Sequence, residues 1–337
     1  MSCRPETGFH SDHLLHMLES AHILYSLRAV VKYDIADHIG ASDVDVTLLA
    51  PELALEPNAL HRMLRFLSLH GYFSYVGGTM FRESDLTAAL RSAPGSRLRS
   101  TLVSVGTVDD LVLLSETVRT GESAFSLQRG ADFWSWHENH PGDGLSFAQY
   151  MEAQVYEVTA LATDLTWSGY DLIADMGGGS GQLLATILAA NPSCQGLLVD
   201  VPDSAILARN TLAERGLSNR CDVLSMDFRV EAPAAAMYIL SRVLLDWSDE
   251  DVHRILAAIR AAAPATGRLR IFESLLDTEG NPRRSLLSDM SMLLTFGSSA
   301  GLRSLSEISS LLDGTGWELV DSRLAGSGLT SLEAVAV

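Results

Sequence analysis

Apolar residues recur at spacings of three and four near the N-terminus of the chain, between Leu14 and Val31. This period places them along one face of a helix, so the pattern predicts a helix over residues 10–40. Gly40 is a plausible end of that helix, because glycine tolerates the backbone conformation in which helices end.

The pattern over residues 43–82 predicts a small winged helix. A short helical stretch is followed by a longer one, bounded by Pro57 and Gly71, and then by two strand-like runs. The dipeptide Gly77-Gly78 separates these runs, as in a tight hairpin.

Helical patterns continue through residues 84–165, where aromatic residues cluster in FWSWH and FAQYM. From about residue 170 short β-rich runs alternate with helical ones. Such alternation is typical of a doubly wound, mostly parallel sheet. We therefore predict an α/β protein with a helical and winged-helix domain over residues 1–165 and a Rossmann-like domain over residues 166–337.

The charge of the chain argues against several kinds of partner. Its 337 residues include 24 lysines and arginines against 42 aspartates and glutamates, which gives a formal net charge of −18. A surface this acidic repels phosphate backbones and anionic lipid headgroups, so neither nucleic acid nor a membrane surface is expected as a partner. Acidic residues also outnumber basic ones within residues 42–82, so the winged helix lacks the basic stripe that DNA binding needs.

Other sequence features point to a cytoplasmic protein. Three cysteines cannot form a disulfide framework, the first residues lack the apolar core of a signal peptide, and no apolar run approaches ~18 residues. His10, His13 and His16 have a spacing that permits shared coordination of a metal. A solvated helix face fits this exposed segment better, and no metal site is expected.

One loop has a pattern suited to binding a nucleoside. A predicted strand runs into Asp175, Gly177, Gly179 and Gly181, a D-x-G-x-G-x-G sequence that leads into a helix. Glycines allow a tight turn and a close approach of the backbone to a ligand. The next predicted strand ends in Asp200, whose carboxylate can accept hydrogen bonds from both hydroxyls of a ribose.

The spacing of the glycines in this loop distinguishes between two cofactors that contain a nucleoside. A dinucleotide fingerprint reads G-x-G-x-x-G and holds the pyrophosphate at a helix N-terminus. Here the glycines follow a different spacing, and Asp175 lies two residues ahead of the first one. An acid at that place suits a cationic cofactor better than a pyrophosphate, so we expect S-adenosylmethionine instead of NAD.

From about residue 10 to residue 337 the chain resembles the small-molecule O-methyltransferases related to plant caffeate methyltransferases and bacterial polyketide methyltransferases. The resemblance rests on the order and spacing of VRTGESAF, DFW, the glycine loop, LLVDVP, MDF, VLLDWSDEDVHRIL and LTF. It implies a helical dimerisation domain, an S-adenosylmethionine domain, a homodimer, and a small, aromatic or polyketide-like substrate.

The resemblance also implies roles for individual residues. Those expected to contact the cofactor are Met151, Asp175, Gly177, Gly179, Asp200, Asp227, Phe228, Ser241 and Trp247. Met151 matches a methionine near the reacting methyl group, so it is expected to contact the substrate as well. Asp289, Met292 and Phe296 share one helix face, on which Asp289 is the polar exception, and we interpret this face as a wall of the substrate pocket.

The chain departs from the family pattern at its usual catalytic base. Most members have a histidine in L-H-D-W, flanked in space by two acids, where this chain has Leu245, Asp246 and Trp247. One flanking acid matches Glu273, and Leu302 stands where the other is expected. Leucine cannot accept a proton, so the usual arrangement of histidine and acids cannot operate.

Several hypotheses remain open. Methyl transfer is an in-line displacement that proximity can accelerate without a base, with Asp246 and Glu273 as candidate catalytic residues. His137 or His140 would be a replacement base. The alternative is non-methylating chemistry on the same fold, as in related hydroxylases, pericyclases and decarboxylases. A winged-helix regulator is disfavoured by the acidic charge and the complete cofactor loop.

Overall fold

The structure is a computed structural model that describes residues 7–92, 96–103, 108–140, 142–143, 147, 150–151, 155–277, 282–325 and 328–337. Its internal contacts divide the chain into two compact units, Met1–Val103 and Ser104–Val337. Within the described ranges, no helix combines the length and the apolar character needed to cross a membrane.

The first unit combines helices with a small sheet. Its elements are α1 (Thr7–Lys32), α2 (Ile35–His38), β1 (Val44–Asp45), α3 (Val46–Glu52), α4 (Pro57–Leu69), β2 (Ser74–Gly77), β3 (Met80–Arg82), a 3₁₀ turn (Ala88–Leu90) and α5 (Arg97–Val103). The strands pair antiparallel in the order β1-β3-β2. Gly77 and Gly78 both have positive φ at the β2–β3 turn, which confirms the predicted hairpin.

The helix predicted over residues 10–40 is interrupted. Asp34 adopts a left-handed backbone conformation with φ 50°, which separates α1 from α2. The C-terminal half of α1 packs into the core of this unit through Leu27, Val30 and Val31. Leu14 and Leu18 share the apolar period but are each 62% exposed, so the period extends beyond what the unit buries.

The second unit is built on a large sheet. Its elements are a 3₁₀ turn (Asp109–Leu113), α6 (Leu114–Thr120), α7 (Ala124–Arg129), α8 (Phe133–Asn139), α9 (Val155–Thr163), β4 (Leu172–Met176), α10 (Gln182–Ala190), β5 (Gln195–Asp200), α11 (Pro202–Glu214), β6 (Cys221–Ser225), β7 (Met237–Ser241), a 3₁₀ turn (Leu244–Asp246), α12 (Asp249–Ala262), β8 (Arg268–Ser274), α13 (Pro282–Phe296), α14 (Leu305–Asp313), β9 (Trp317–Leu324) and β10 (Leu329–Ala336).

The strands of this sheet follow the order β6-β5-β4-β7-β8-β10-β9. Strands β4 to β8 are parallel, and β10 lies antiparallel between β8 and β9. A hydrophobic cluster covers each face, which confirms the α/β class and the mostly parallel sheet. The strand order reverses at β4, and ligands of such sheets bind at the carboxyl ends of the strands beside this point.

The contacts divide the chain earlier than the predicted boundary after residue 165. The backbone N–H of Ser298 donates to Gly121 O at 2.9 Å, and Arg284 on α13 forms an ion pair with Glu157 on α9. These contacts attach the helices after residue 108 to the sheet unit. We predicted the domain boundary where the alternation of strands and helices begins. That alternation does not indicate on which unit the preceding helices pack.

Candidate functional site

The glycine loop after β4 has a geometry that favours glycine. Gly177, Gly179 and Gly181 have φ values of 76°, 56° and 77°. A Cβ atom at Gly177 would lie 2.7 Å from Cγ2 of Val243. The Gly177 N–H donates to Val199 O at 2.7 Å, which holds the loop against β5. The loop therefore exposes backbone where a side chain would fill the space.

Asp175 is the buried acid beneath this loop. Its side chain has no exposed surface, and neither carboxylate oxygen has a hydrogen-bond partner among the described residues. Burial, with a smaller contribution from the charge of Asp200, raises the pKa of Asp175 to about 7. Burying such a group without a partner is costly, so the site favours a ligand that brings a cation or hydrogen-bond donors.

Asp200 ends β5, as predicted, and reaches back to the loop. One carboxylate oxygen accepts from the Gly179 N–H at 2.7 Å, and the other accepts from the Val201 N–H at 2.7 Å. Burial raises the pKa of Asp200, and these two backbone hydrogen bonds oppose the rise. The carboxylate is thus fixed at the rim of a cavity, with its orientation set by backbone groups.

A cavity of ≈ 350 Å³ opens at the carboxyl ends of β4, β5 and β7. Most of the predicted site residues line it, namely Met151, Gly177, Gly179, Asp200, Asp227, Phe228, Ser241, Asp246 and Trp247. Asp175 lines an adjoining cavity of ≈ 60 Å³, which shares Met151, Gly177 and Ser241 with the larger one. The structure therefore brings the predicted cofactor residues to one place.

The predicted residue Trp247 belongs to a wall of the cavity whose other members, Trp134 and Arg229, the sequence analysis did not single out. The ring of Trp134 on α8 stacks on Trp247, with centroids 5.7 Å apart and planes at 12°. The guanidinium of Arg229 lies 4.6 Å from the centroid of Trp247. Arg229 also donates two hydrogen bonds to Asp227, at 2.9 and 2.8 Å, and these hold the pKa of Asp227 below its usual value. The cluster of aromatic residues in FWSWH was visible in the sequence, but the sequence did not indicate which way these rings point.

The turn after β7 and the end of β8 bring two acids, Asp246 and Glu273, close enough for their charges to interact. Asp246 lines the cavity, whereas Leu245 is buried. Glu273, at the end of β8, accepts from the Ser274 N–H at 3.1 Å with one oxygen, and the other has no partner among the described residues. Burial raises the pKa of Glu273 to about 7, and burial together with Glu273 raises that of Asp246 well above its ordinary value.

Arg242, immediately after β7, is a cation that the sequence analysis did not single out. It lines the cavity and has a left-handed backbone with φ 56°, which is uncommon for a residue with a side chain. Its N–H donates to Phe272 O at 2.8 Å. Burial lowers the pKa of Arg242, and the charge of Glu273 opposes that change. The charges of Arg242 and Glu273 therefore stabilise each other.

The predicted substrate face on α13 lies outside the lining of this cavity. Asp289 accepts a hydrogen bond from the Leu302 N–H at 3.0 Å, so its carboxylate holds a neighbouring loop. Phe296 contacts the ring of Trp134, with centroids 6.0 Å apart, and Met292 is half-buried. The role of these residues in substrate binding stays a prediction.

The two histidines of α8 have different surroundings. His137 is buried, its Nδ1 lies 2.7 Å from Phe133 O, and burial lowers its pKa. It lines a side cavity of ≈ 150 Å³ that shares Trp134 with the main one. His140 stacks on Trp136 with centroids 3.6 Å apart and does not line the main cavity. Their role as a replacement base also stays a prediction.

Comparison with known proteins agrees with this geometry. A family model described as an O-methyltransferase domain matches residues 112–318. The phenazine O-methyltransferase PhzM of Lysobacter antibioticus is 31% identical over 96% of this chain and 96% of that protein. The aclacinomycin 10-hydroxylase RdmB of Streptomyces purpurascens is 32% identical over 94% of this chain and 87% of that protein.

A solved structure extends the comparison to the fold. The O-methyltransferase NcsB1 from neocarzinostatin biosynthesis was crystallised with S-adenosyl-L-homocysteine and 1,4-dihydroxy-2-naphthoic acid. It matches with a TM-score of 0.86 and 27% identity, over 94% of this chain and 96% of that chain.

The raised pKa of Asp175 predicts how stability depends on pH. Between its ordinary pKa of 3.8 and about 7, the folded protein holds a proton that the unfolded chain releases. The free energy of unfolding therefore falls as pH rises through this window, by roughly 1 kcal/mol for each unit of pKa difference. We expect Asp175→Asn to flatten this fall between about pH 4 and pH 7, as measured by urea unfolding.

The slope should decrease without vanishing, because Glu273 has a raised pKa of about 7 as well. Asp222→Asn is the matched control, because this acid is exposed on β6. The same slope in Asp175→Asn and in wild type would contradict the burial of an uncompensated carboxylate.

Proposed function

Because the chain belongs to the O-methyltransferase family, we propose that it transfers a methyl group from S-adenosylmethionine to a hydroxyl group of a small aromatic natural product. The observation that carries this proposal is the glycine loop with two acids beside it, the buried Asp175 and the half-buried Asp200. The names of the relatives, which include phenazine and naphthoic acid ligands or substrates, support an aromatic acceptor.

The residues present fit the cofactor. S-adenosylmethionine supplies, when bound, a methyl group made electrophilic by its sulfonium charge. Asp175 offers an unpartnered carboxylate to a positively charged ligand, and the glycine loop leaves room for close approach. Asp200 would accept hydrogen bonds from the ribose, while Phe228 and Trp247, which line the same cavity, would supply apolar faces to the adenine.

The chain contributes mainly position. The stacked rings of Trp134 and Trp247 give the cavity an apolar wall, and holding two reactants in line supplies much of the acceleration of such a displacement. Leu245 cannot take the proton of an acceptor hydroxyl. Asp246 and Glu273 are the candidates for that role, because burial raises the pKa of both carboxyls and so makes each a stronger base than an ordinary carboxylate.

Calorimetry tests the choice of cofactor. We expect the protein to bind S-adenosylmethionine and S-adenosylhomocysteine, and to give no heat with NAD. Asp200→Ala should weaken binding roughly 10- to 100-fold, since each charged hydrogen bond contributes about 1.5–3 kcal/mol.

Asp222→Ala removes an exposed acid from the neighbouring strand and should bind as wild type does. If Asp200→Ala also binds as wild type does, Asp200 is not the ribose acid. If wild type binds neither nucleoside, the proposed function is wrong.

Leu245→His tests the missing base. Glu273 lies beside Leu245, whose backbone N–H contributes to lowering the pKa of Glu273, so it could orient the new ring. General-base catalysis contributes ~10²–10⁴-fold, so the substitution should raise kcat/KM for a weakly acidic naphthol by at least roughly tenfold. Leu245→Asn, which cannot act as a base, is the control.

The pH–rate profile of the wild type is the companion measurement. If placement is sufficient, kcat/KM should follow ionisation of the acceptor, so the apparent pKa should change when a more acidic naphthol is used. If the apparent pKa instead stays near neutral whichever naphthol is used, and disappears from the profile of Asp246→Asn, proton transfer is assigned to the pair of Asp246 and Glu273. If that apparent pKa disappears only in His137→Gln, proton transfer is assigned to His137 in the side cavity. This result would contradict both placement alone and the acid pair.

A second candidate function is non-methylating chemistry on the same cofactor. The observations that favour it are Leu245 at the usual position of the base and the similarity to a protein named as a hydroxylase. Mass spectrometry of the product separates the two. A gain of one CH₂ indicates methyl transfer, a gain of one oxygen indicates hydroxylation, and an unchanged mass with a new retention time indicates rearrangement.

We also infer that the protein is a cytoplasmic homodimer that assembles through α1. Support comes from the exposed apolar side chains along that helix, which the first unit leaves uncovered. Light scattering at micromolar concentration should give twice the mass of one 36.4 kDa chain. Replacing Leu14 and Leu18 together by Glu should reduce the mass to that of a monomer.

The matched control for this experiment is Leu48→Glu, at a residue that is 72% exposed on α3. It adds a charge to another apolar surface position of the same unit and should leave the dimer intact. A wild-type mass of one chain would contradict the dimer.

A further inference from the structure

Arg303 is a buried cation outside the lining of the cavity, yet it reaches the turn that carries the cavity wall. Its side chain is 9% exposed. It donates from Nη1 to Leu244 O at 2.7 Å and from Nη2 to Trp247 O at 2.8 Å. Its Nε donates to the exposed carboxylate of Asp249 at 2.8 Å. One guanidinium thus connects the first and last carbonyls of the turn 244–247.

The residues before Arg303 add to this attachment. The Gly301 N–H donates to Leu245 O at 3.0 Å, so a third carbonyl of the turn has its donor in the same segment. The Leu302 N–H donates to Asp289 on α13 at 3.0 Å, and Arg303 O accepts from the Leu276 N–H at 3.1 Å. The segment 301–303 is therefore fixed on both sides, and the turn takes its orientation from it.

The turn itself has two internal backbone hydrogen bonds, from the Asp246 N–H to Val243 O at 3.2 Å and from the Trp247 N–H to Leu244 O at 3.4 Å. It is a single 3₁₀ turn over Leu244–Asp246, followed by extended backbone at Trp247. Such short turns have poor hydrogen-bond geometry, and buried carbonyls need donors from elsewhere. The side chains that it presents to the cavity are those of Asp246 and Trp247. Any change in the orientation of the turn moves both of them.

We propose that Arg303 is a positioning residue for cofactor binding, which sets the Trp247 ring and the Asp246 carboxylate in the cavity by holding the carbonyls at both ends of their turn. This proposal rests on the proposed function. The planar guanidinium is suited to the task, because its donors have a fixed geometry and can bond two carbonyls at once. A lysine ammonium lacks that fixed fork.

The test measures Trp247 and the cofactor separately. The near-UV circular dichroism difference between wild type and Trp247→Phe defines the signal of the Trp134–Trp247 stack. Arg303→Met should lose most of that signal without any ligand, while far-UV circular dichroism stays as in wild type. It should also weaken binding of S-adenosylhomocysteine by roughly tenfold or more, which is about 1.4 kcal/mol.

Two variants separate positioning from stability. Asp249→Asn removes the ion pair but keeps both carbonyl bonds, so the stack signal and the affinity should stay within about twofold of wild type. Ser304→Ala removes the N-cap of α14, where Ser304 accepts from the Glu307 N–H at 3.3 Å. It should lower the unfolding temperature and leave both readouts unchanged.

The outcomes are distinct. A folded Arg303→Met that keeps the stack signal and the affinity overturns the proposal. If Arg303→Met does not fold, Arg303→Lys decides: a reduced stack signal and weaker binding support the proposal, and wild-type values overturn it. If wild type binds no S-adenosylhomocysteine while Arg303→Met still loses the stack signal, the proposed function fails and the role in cofactor binding fails with it. In that case Arg303 still holds the turn 244–247, but without a role in binding the cofactor.

Discussion

The burial of the Asp175 carboxyl is the constraint on which the rest of the site depends. A side chain on Gly178 would place its Cβ 2.9 Å from that carboxylate, so the loop has to be glycine where it passes over it. The same close passage brings the Gly179 N–H to Asp200 and joins β5 to the loop. Glycine at Gly177 and Gly178 leaves free the space that a side chain would fill, so backbone lines the cavity here.

Local patterns in the sequence predicted this part of the site. A strand, a glycine loop, a helix and an acid at the end of the next strand are all close together along the chain, so their spacing carries the geometry. The break between α1 and α2 was not predicted, because it depends on the left-handed backbone of one residue, Asp34. The period of the apolar residues continues across that break.

The contacts that join distant parts of the chain were the ones that sequence reasoning missed. Trp134 meets Trp247 only because α8 packs against the sheet unit, and Arg303 reaches the turn from beyond α13. Neither pairing has a spacing rule. For the same reason the unit boundary differs from the change in pattern near residue 165, since the helices before it are attached through contacts such as that of Arg284 with Glu157.

The departures from the family pattern concern the acceptance of a proton and leave the support of the turn in place. Leu245 and Leu302 are apolar where the resemblance expects a base and an acid, and both are buried. Yet their backbones still take part in the attachment, through Leu245 O and the Leu302 N–H. Backbone bonds do not depend on which side chain a residue carries. Attachment of the turn and acceptance of a proton therefore rest on different atoms of the same residues, so a chain of this fold can lose the second while it retains the first.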